Sequence, residues 1–181
     1  MSWRGRGVNR GQLPWGRIAV FRHRKPEDEL AASVYRRTGE WARAPELFEA
    51  CGIPDTLDGR FDSLALHAAL VIDRLHCEPD GEVLAQAFFD VMFTHLDLTL
   101  REIGVQDLGV GRRIKIMAEG FHGRALAYRD ALAGGGLGAV LRRNAYGGRP
   151  PADPACVERL ETHVRRIADR LAGMSRSDLA K

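Results

Sequence analysis

Residues 82–103 are apolar around most of the circumference of a helix, and no other stretch constrains the fold as tightly. Phe89, Phe93, Leu96, Leu100 and Ile103 make one stripe at helical spacing, and Leu84, Phe88, Val91 and Met92 make a second. Only Gln86, Asp90, Thr94, Asp97 and Arg101 line up as a polar strip. A helix of this kind is central in a bundle or is covered by a partner. No segment alternates as a strand does and no period repeats, so the expected class is all-α, a single-domain bundle of six or seven helices.

The neighbours are legible from their ends. Pro26-Glu27-Asp28-Glu29 is a favourable first turn, and that helix should stop near Thr38, before Gly39. A second helix is expected over 41–50, closed by Gly52 and Pro54, and a third over 60–77 with Phe61, Leu64, Ala65, Ala68, Ile72 and Leu75 on one face. A fifth, over 112–133, buries Ile114, Met117, Phe121, Ala125, Tyr128 and Leu132. Gly120 and Gly123 inside it cost helix propensity, which suggests close approach of a neighbouring backbone. A short helix over 137–146 follows, and a last one opens with Asp153 as N-cap and Pro154 in first position. The organisation reads as a basic arm (1–25), a helical domain (26–150) and a C-terminal helix packed on it (151–181).

The net charge of +3 divides unevenly along the chain. Residues 1–25 carry seven cations and no acid, residues 26–104 carry 16 acids and 6 bases, and residues 112–149 carry 8 bases and 2 acids. The arm, rich in Gly and Arg, reads as poorly ordered to about Trp15. It lacks the apolar core of a secretory signal, loosely resembles a mitochondrial presequence, and is either an anion-binding arm or a solvated tail. The basic middle either meets an anionic partner or is neutralised by the acidic front half. No uninterrupted apolar run approaches the roughly 18 residues of a membrane span, so no transmembrane helix is expected. Three widely spaced cysteines, Cys51, Cys77 and Cys156, fit a reducing compartment rather than a disulfide framework.

Enzymatic constellations are incomplete. Glu119-Gly-Phe-His122 is one half of a di-iron bundle motif that needs a second copy and two more carboxylates. Ser63 and His67 share helical spacing, but no acid completes a triad. His95, on the face of Phe88 and Met92, reads as a partly buried hydrogen-bonded side chain, and Cys51 as a small apolar filler. The glycines at 134–138 follow no strand and precede no Gly-Lys-Ser/Thr, so they end a helix rather than cradle phosphate. No catalytic, cofactor-binding or metal-ligating residues are expected.

Three stretches together are distinctive. They are Pro54-Asp-Thr-Leu-Asp-Gly-Arg-Phe-Asp62 leading into Leu66-His67-Ala68; Phe88-Phe-Asp90 with Met92-Phe93 through Asp97 to Leu100-Arg-Glu-Ile-Gly104; and Asp107-Leu-Gly-Val-Gly-Arg-Arg-Ile-Lys115 through Met117-Ala118 to Phe121-His-Gly-Arg124. In these the chain resembles the ubiquinol–cytochrome c chaperone family, assembly factors of respiratory complex III. The likeness spans about 30–146, is strongest over 85–124, and leaves out the arm and the last helix. His122 stands where the family pattern has Tyr, and His95-Leu96 replaces a more polar pair before Asp97.

The resemblance implies a non-enzymatic chaperone that holds newly made cytochrome b near the ribosomal exit until haems and partner subunits arrive. Further partners it implies are the ribosome and a small partner protein; the basic arm with Arg112, Arg113 and Lys115 adds an anionic inner-membrane surface, and no motif for sequence-specific nucleic acid is present. The expected client-binding residues are Phe89, Asp90, Phe93, Asp97, Arg101, Arg112, Arg113, Lys115, Phe121 and Arg124. The expected location is the cytoplasm of a bacterium, peripheral at the inner membrane, with the mitochondrial matrix and inner membrane as the alternative. Rival functions are an RNA- or ribosome-binding helical module and a metal- or haem-binding bundle enzyme.

Overall fold

A computed structural model describes residues 26–104, 107–149 and 151–181. The basic arm lies outside the described residues, as do the expectations made for it. Among the described residues eight helices follow one another: α1 (Pro26–Ala42), α2 (Pro45–Glu49), α3 (Leu57–Leu75), α4 (Gly81–Glu102), α5 (Asp107–Gly134), α6 (Leu137–Asn144), α7 (Pro154–Ala172) and α8 (Arg176–Leu179). Six are longer than one or two turns, which makes the molecule the all-α bundle the sequence implies.

The central element is α3 rather than α4. From Asp62 to Ile72 every residue of α3 is buried, and α3 meets α1, α4, α5 and α7. Helix α4 packs on α1, α3 and α5 but leaves Val83 and Leu98 exposed. By length and composition α4 is long and apolar enough to cross a membrane, because the sum over 22 residues reaches what no uninterrupted run does. In the structure Leu84, Phe88, Phe89, Met92, Phe93 and Leu100 of the two stripes are buried against neighbouring helices, while Ile103 stays exposed.

Several boundaries move, each for a local reason. Helix α1 runs through Gly39 to Ala42, because Thr38, Gly39 and Ala42 are buried and Thr38 Oγ1 returns to the Val34 carbonyl. Thr56 caps α3 by accepting from Gly59 N, which starts the helix three residues earlier than its apolar face suggests. Gly59 and Gly81 sit where a Cβ would fall 1.9 and 1.7 Å from the carbonyl oxygens of Pro54 and Leu75. By contrast, a Cβ at Gly120 or Gly123 would meet nothing within 4 Å, so no neighbouring backbone explains these two.

Helix α7 begins as expected, with Asp153 accepting from Ala155 N and Pro154 in the first turn. It buries Val157, Leu160, Val164, Ile167 and Leu171 against α3 and α6. The terminal turn α8, unforeseen from periodicity, is made by a capping box between Ser175 and Asp178. Arg37 of α1 donates to the Asp178 carbonyl at 2.5 Å, tying the end of the chain to its first helix.

Candidate partner-binding surface

The residues singled out from sequence fall on the α4–α5 hairpin, but in two layers. Phe89, Phe93 and Phe121 are 5%, 3% and 2% exposed, and form an aromatic cluster with centroids 4.5, 5.9 and 6.2 Å apart. Buried between α4 and α5, they hold the hairpin together and present no surface to a client.

The charged residues form the outer layer, and several are already committed. Arg124 pairs with Asp62, which is 4% exposed, and stacks 5.7 Å over Phe61. Burial raises the Asp62 carboxyl above its usual range, and Arg124 pulls it back. Arg113 donates to Asp58 at 2.8 Å. Both acids belong to the front half of the chain, so part of the basic middle is neutralised internally. Arg101 holds Asp97 at 2.7 Å along α4. Lys115 lies 3.9 Å from Glu119, and Gln86 donates to Asp90 at 2.8 Å. Burial and Asp28 raise the Asp90 carboxyl, against the hydrogen bond from Gln86. Helix α5 starts at Asp107 rather than at the expected 112, so Arg112 lies exposed in its second turn, beyond the reach of the unfavourable helix dipole. Of the charges singled out from sequence, Asp90, Asp97, Arg101, Arg112 and Lys115 thus remain exposed or half-exposed on the hairpin.

The histidine and serine candidates resolve into structural hydrogen bonds. Ser63 Oγ donates to the Ala42 carbonyl at 2.8 Å, away from His67. His67 Nδ1 donates to the Ser63 carbonyl at 2.8 Å, which leaves its Nε2 as an acceptor. His163 Nε2 lies 3.2 Å from that Nε2 and donates to it. His163 Nδ1 then accepts from Arg166 at 3.2 Å. The ring centroids are 5.5 Å apart, as for two nitrogens pointing straight at one another rather than converging on a metal ion. Burial pulls His67 down to about 4, and burial with Arg166 lowers His163.

No signal in the sequence joined His67 to His163, 96 residues away, although both lie on apolar faces. His95 Nδ1 meets the Tyr35 hydroxyl at 3.0 Å. Cys51 is fully buried, and no cysteine is in a disulfide. Glu119 is exposed on the polar side of α5, and no group of three or more His, Cys, Asp or Glu among the described residues is arranged to hold a metal.

The fold defines an all-α helical-bundle protein. The sequence model of the ubiquinol-cytochrome C chaperone family matches residues 49–181. The fold is also similar to the crystal structure of the Cbp3 homolog from Brucella abortus, with 34% identity and a TM-score of 0.71 over 85% of this chain and 86% of that one. No curated protein matches the chain. The chain belongs to the ubiquinol-cytochrome C chaperone family. The family match reaches the C-terminus, so α7 and α8, expected to lie outside the likeness, are part of it.

Proposed function

We propose that the chain is an assembly chaperone of complex III, a reading supported by membership of the family and likeness to the Cbp3 homolog. We propose that its client is the newly made cytochrome b subunit, taken up by the α4–α5 hairpin at the cytosolic face of a bacterial inner membrane. The family match over 49–181 carries this reading. Two features support the choice of hairpin. The cluster of Phe89, Phe93 and Phe121 fixes the spacing of α4 and α5, and the charged residues of the hairpin are mostly in surface pairs, which exchange partners at little cost. Client contact then rests on Asp90, Asp97, Arg101, Arg112 and Lys115, while Arg113 and Arg124 act by holding α5 on α3. The role is non-enzymatic.

Deleting the gene tests the proposal. Cytochrome b and complex III activity should both fall under respiratory growth and return when the gene is restored. Unchanged levels of both would overturn it. An Asp90→Arg, Asp97→Arg double variant that folds normally should restore complex III poorly.

A further inference from the structure

On the side of the molecule built by the ends of α3, α5 and α7 there is a cavity of about 270 Å³. Leu70, Leu132, Ala168, Leu171 and Ala172 supply its apolar walls, and Asp73, Arg74, Cys77 and Glu78 its polar rim. All three helices reach it with their C-terminal turns, which end at Leu75, Gly134 and Ala172. These are the negative ends of three helix dipoles, which favours a cation there.

The chain already places one cation there. Arg74 donates to the carbonyls of Leu171 at 2.9 Å and Met174 at 2.5 Å and pairs with Glu78. Asp73 is left over. Its carboxylate is half-buried and makes no hydrogen bond or ion pair among the described residues. Arg129, the cation that acts on it from a distance, is paired at 3.7 Å with Asp130. Burial pushes the Asp73 carboxyl up, in keeping with a charge that lacks a close partner.

We propose that this cavity receives a lysine or arginine side chain from a basic segment of a partner protein, its stem on Leu70, Leu132 and Leu171 and its charged head on Asp73. The volume is below that of pockets for drug-sized ligands and suits one long side chain. A basic side chain joins an apolar stem to a charged tip, which is the pattern of the cavity walls and rim. The head would make a charge-assisted bond to Asp73 in a partly dry site, where such bonds are strong. This site is separate from the α4–α5 face, and its test does not depend on the identity of the client.

Cys77 lines the cavity and is exposed, so it reports occupancy. In a Cys156→Ser background, with Cys51 buried, the rate of Cys77 alkylation by N-ethylmaleimide is measured with two capped pentapeptides, Ala-Leu-Arg-Leu-Ala and Ala-Leu-Ala-Leu-Ala. The arginine peptide should give protection at concentrations at least about fivefold lower than the alanine peptide. Asp73→Asn should bring the two to parity. Equal protection by both peptides, protection by neither, or a difference that persists in Asp73→Asn overturns the proposal. The comparison in unsubstituted Asp73 protein stands without any cavity variant having to fold.

Discussion

At the scale of single residues, two buried polar groups set how the protein responds to acid and to charge removal. His67 is neutral in the folded state because burial holds it near 4, against about 6.5 when unfolded. The unfolded chain therefore binds a proton more readily as pH falls. The stability contribution is complete above about pH 6.5 and is lost progressively down to about 4. For this one group the loss at pH 5 is about 2 kcal/mol. Urea unfolding at pH 8 and pH 5 should show a drop of that order, and His67→Gln, which keeps an acceptor for His163, should flatten it. An unchanged pH slope in the variant would exclude His67 as its source. The Asp62–Arg124 pair gives a second prediction. Arg124→Ala should cost about 2 kcal/mol in a urea titration, because Asp62 keeps its burial and loses its cation, whereas the Asp62→Asn, Arg124→Ala double variant should recover part of that loss. Additive losses would mean that the two side chains act independently. Neither the histidine pair nor the ion pair was legible in the sequence, since their partners lie 96 and 62 residues apart and no spacing rule connects them.

At the scale of elements, periodicity and end signals carried most of the fold. The Asp153-Pro154 start of α7 and the glycine exit from α5 stand where the sequence implies them. The misjudged points are those where tertiary packing overrides a local rule. Gly39 does not stop α1, because the helix gains buried contacts beyond it. Helix α4, the most apolar element, is less enclosed than α3, whose alanines and serine look bland in sequence but allow four helices to approach. The glycines of α5 show the converse. With open space at Gly120 and Gly123, replacing both by alanine should raise stability by about 2 kcal/mol, read as a higher urea midpoint. If complex III assembly falls at the same time, a partner uses the bare backbone of α5. If assembly is unchanged, the glycines are a tolerated cost. A destabilised Gly120→Ala, Gly123→Ala protein would show that the helix face is more crowded than its geometry.

At the scale of the whole molecule, the question is what counts as the folding unit. The sequence divides at 150, after a Gly/Pro linker, and the family resemblance visible in its motifs ends near 146. The physical connections run across that division. Helix α7 places Val157, Leu160, Val164, Ile167 and Leu171 in the same core as α3. His163 completes the hydrogen-bond chain of His67, Arg74 takes carbonyls at Leu171 and Met174, and Arg37 takes the Asp178 carbonyl. Arg159 donates to the Ala50 carbonyl at 2.6 Å, so the α2–α3 connection is also held from the C-terminal side. Removing 151–181 would expose the apolar wall of α3 and take His163 from His67 and the Leu171 and Met174 carbonyls from Arg74. Each buried aliphatic side chain lost from such a wall is worth about 1.5–3 kcal/mol, and five of them approach or exceed the roughly 5–15 kcal/mol that holds a domain of this size folded. A 26–150 fragment should therefore show no cooperative thermal transition and should bind a hydrophobic dye, whereas a 26–181 protein should melt in one step. A sharp, reversible transition in the 26–150 fragment would show instead that α7 and α8 only rest on a bundle complete without them.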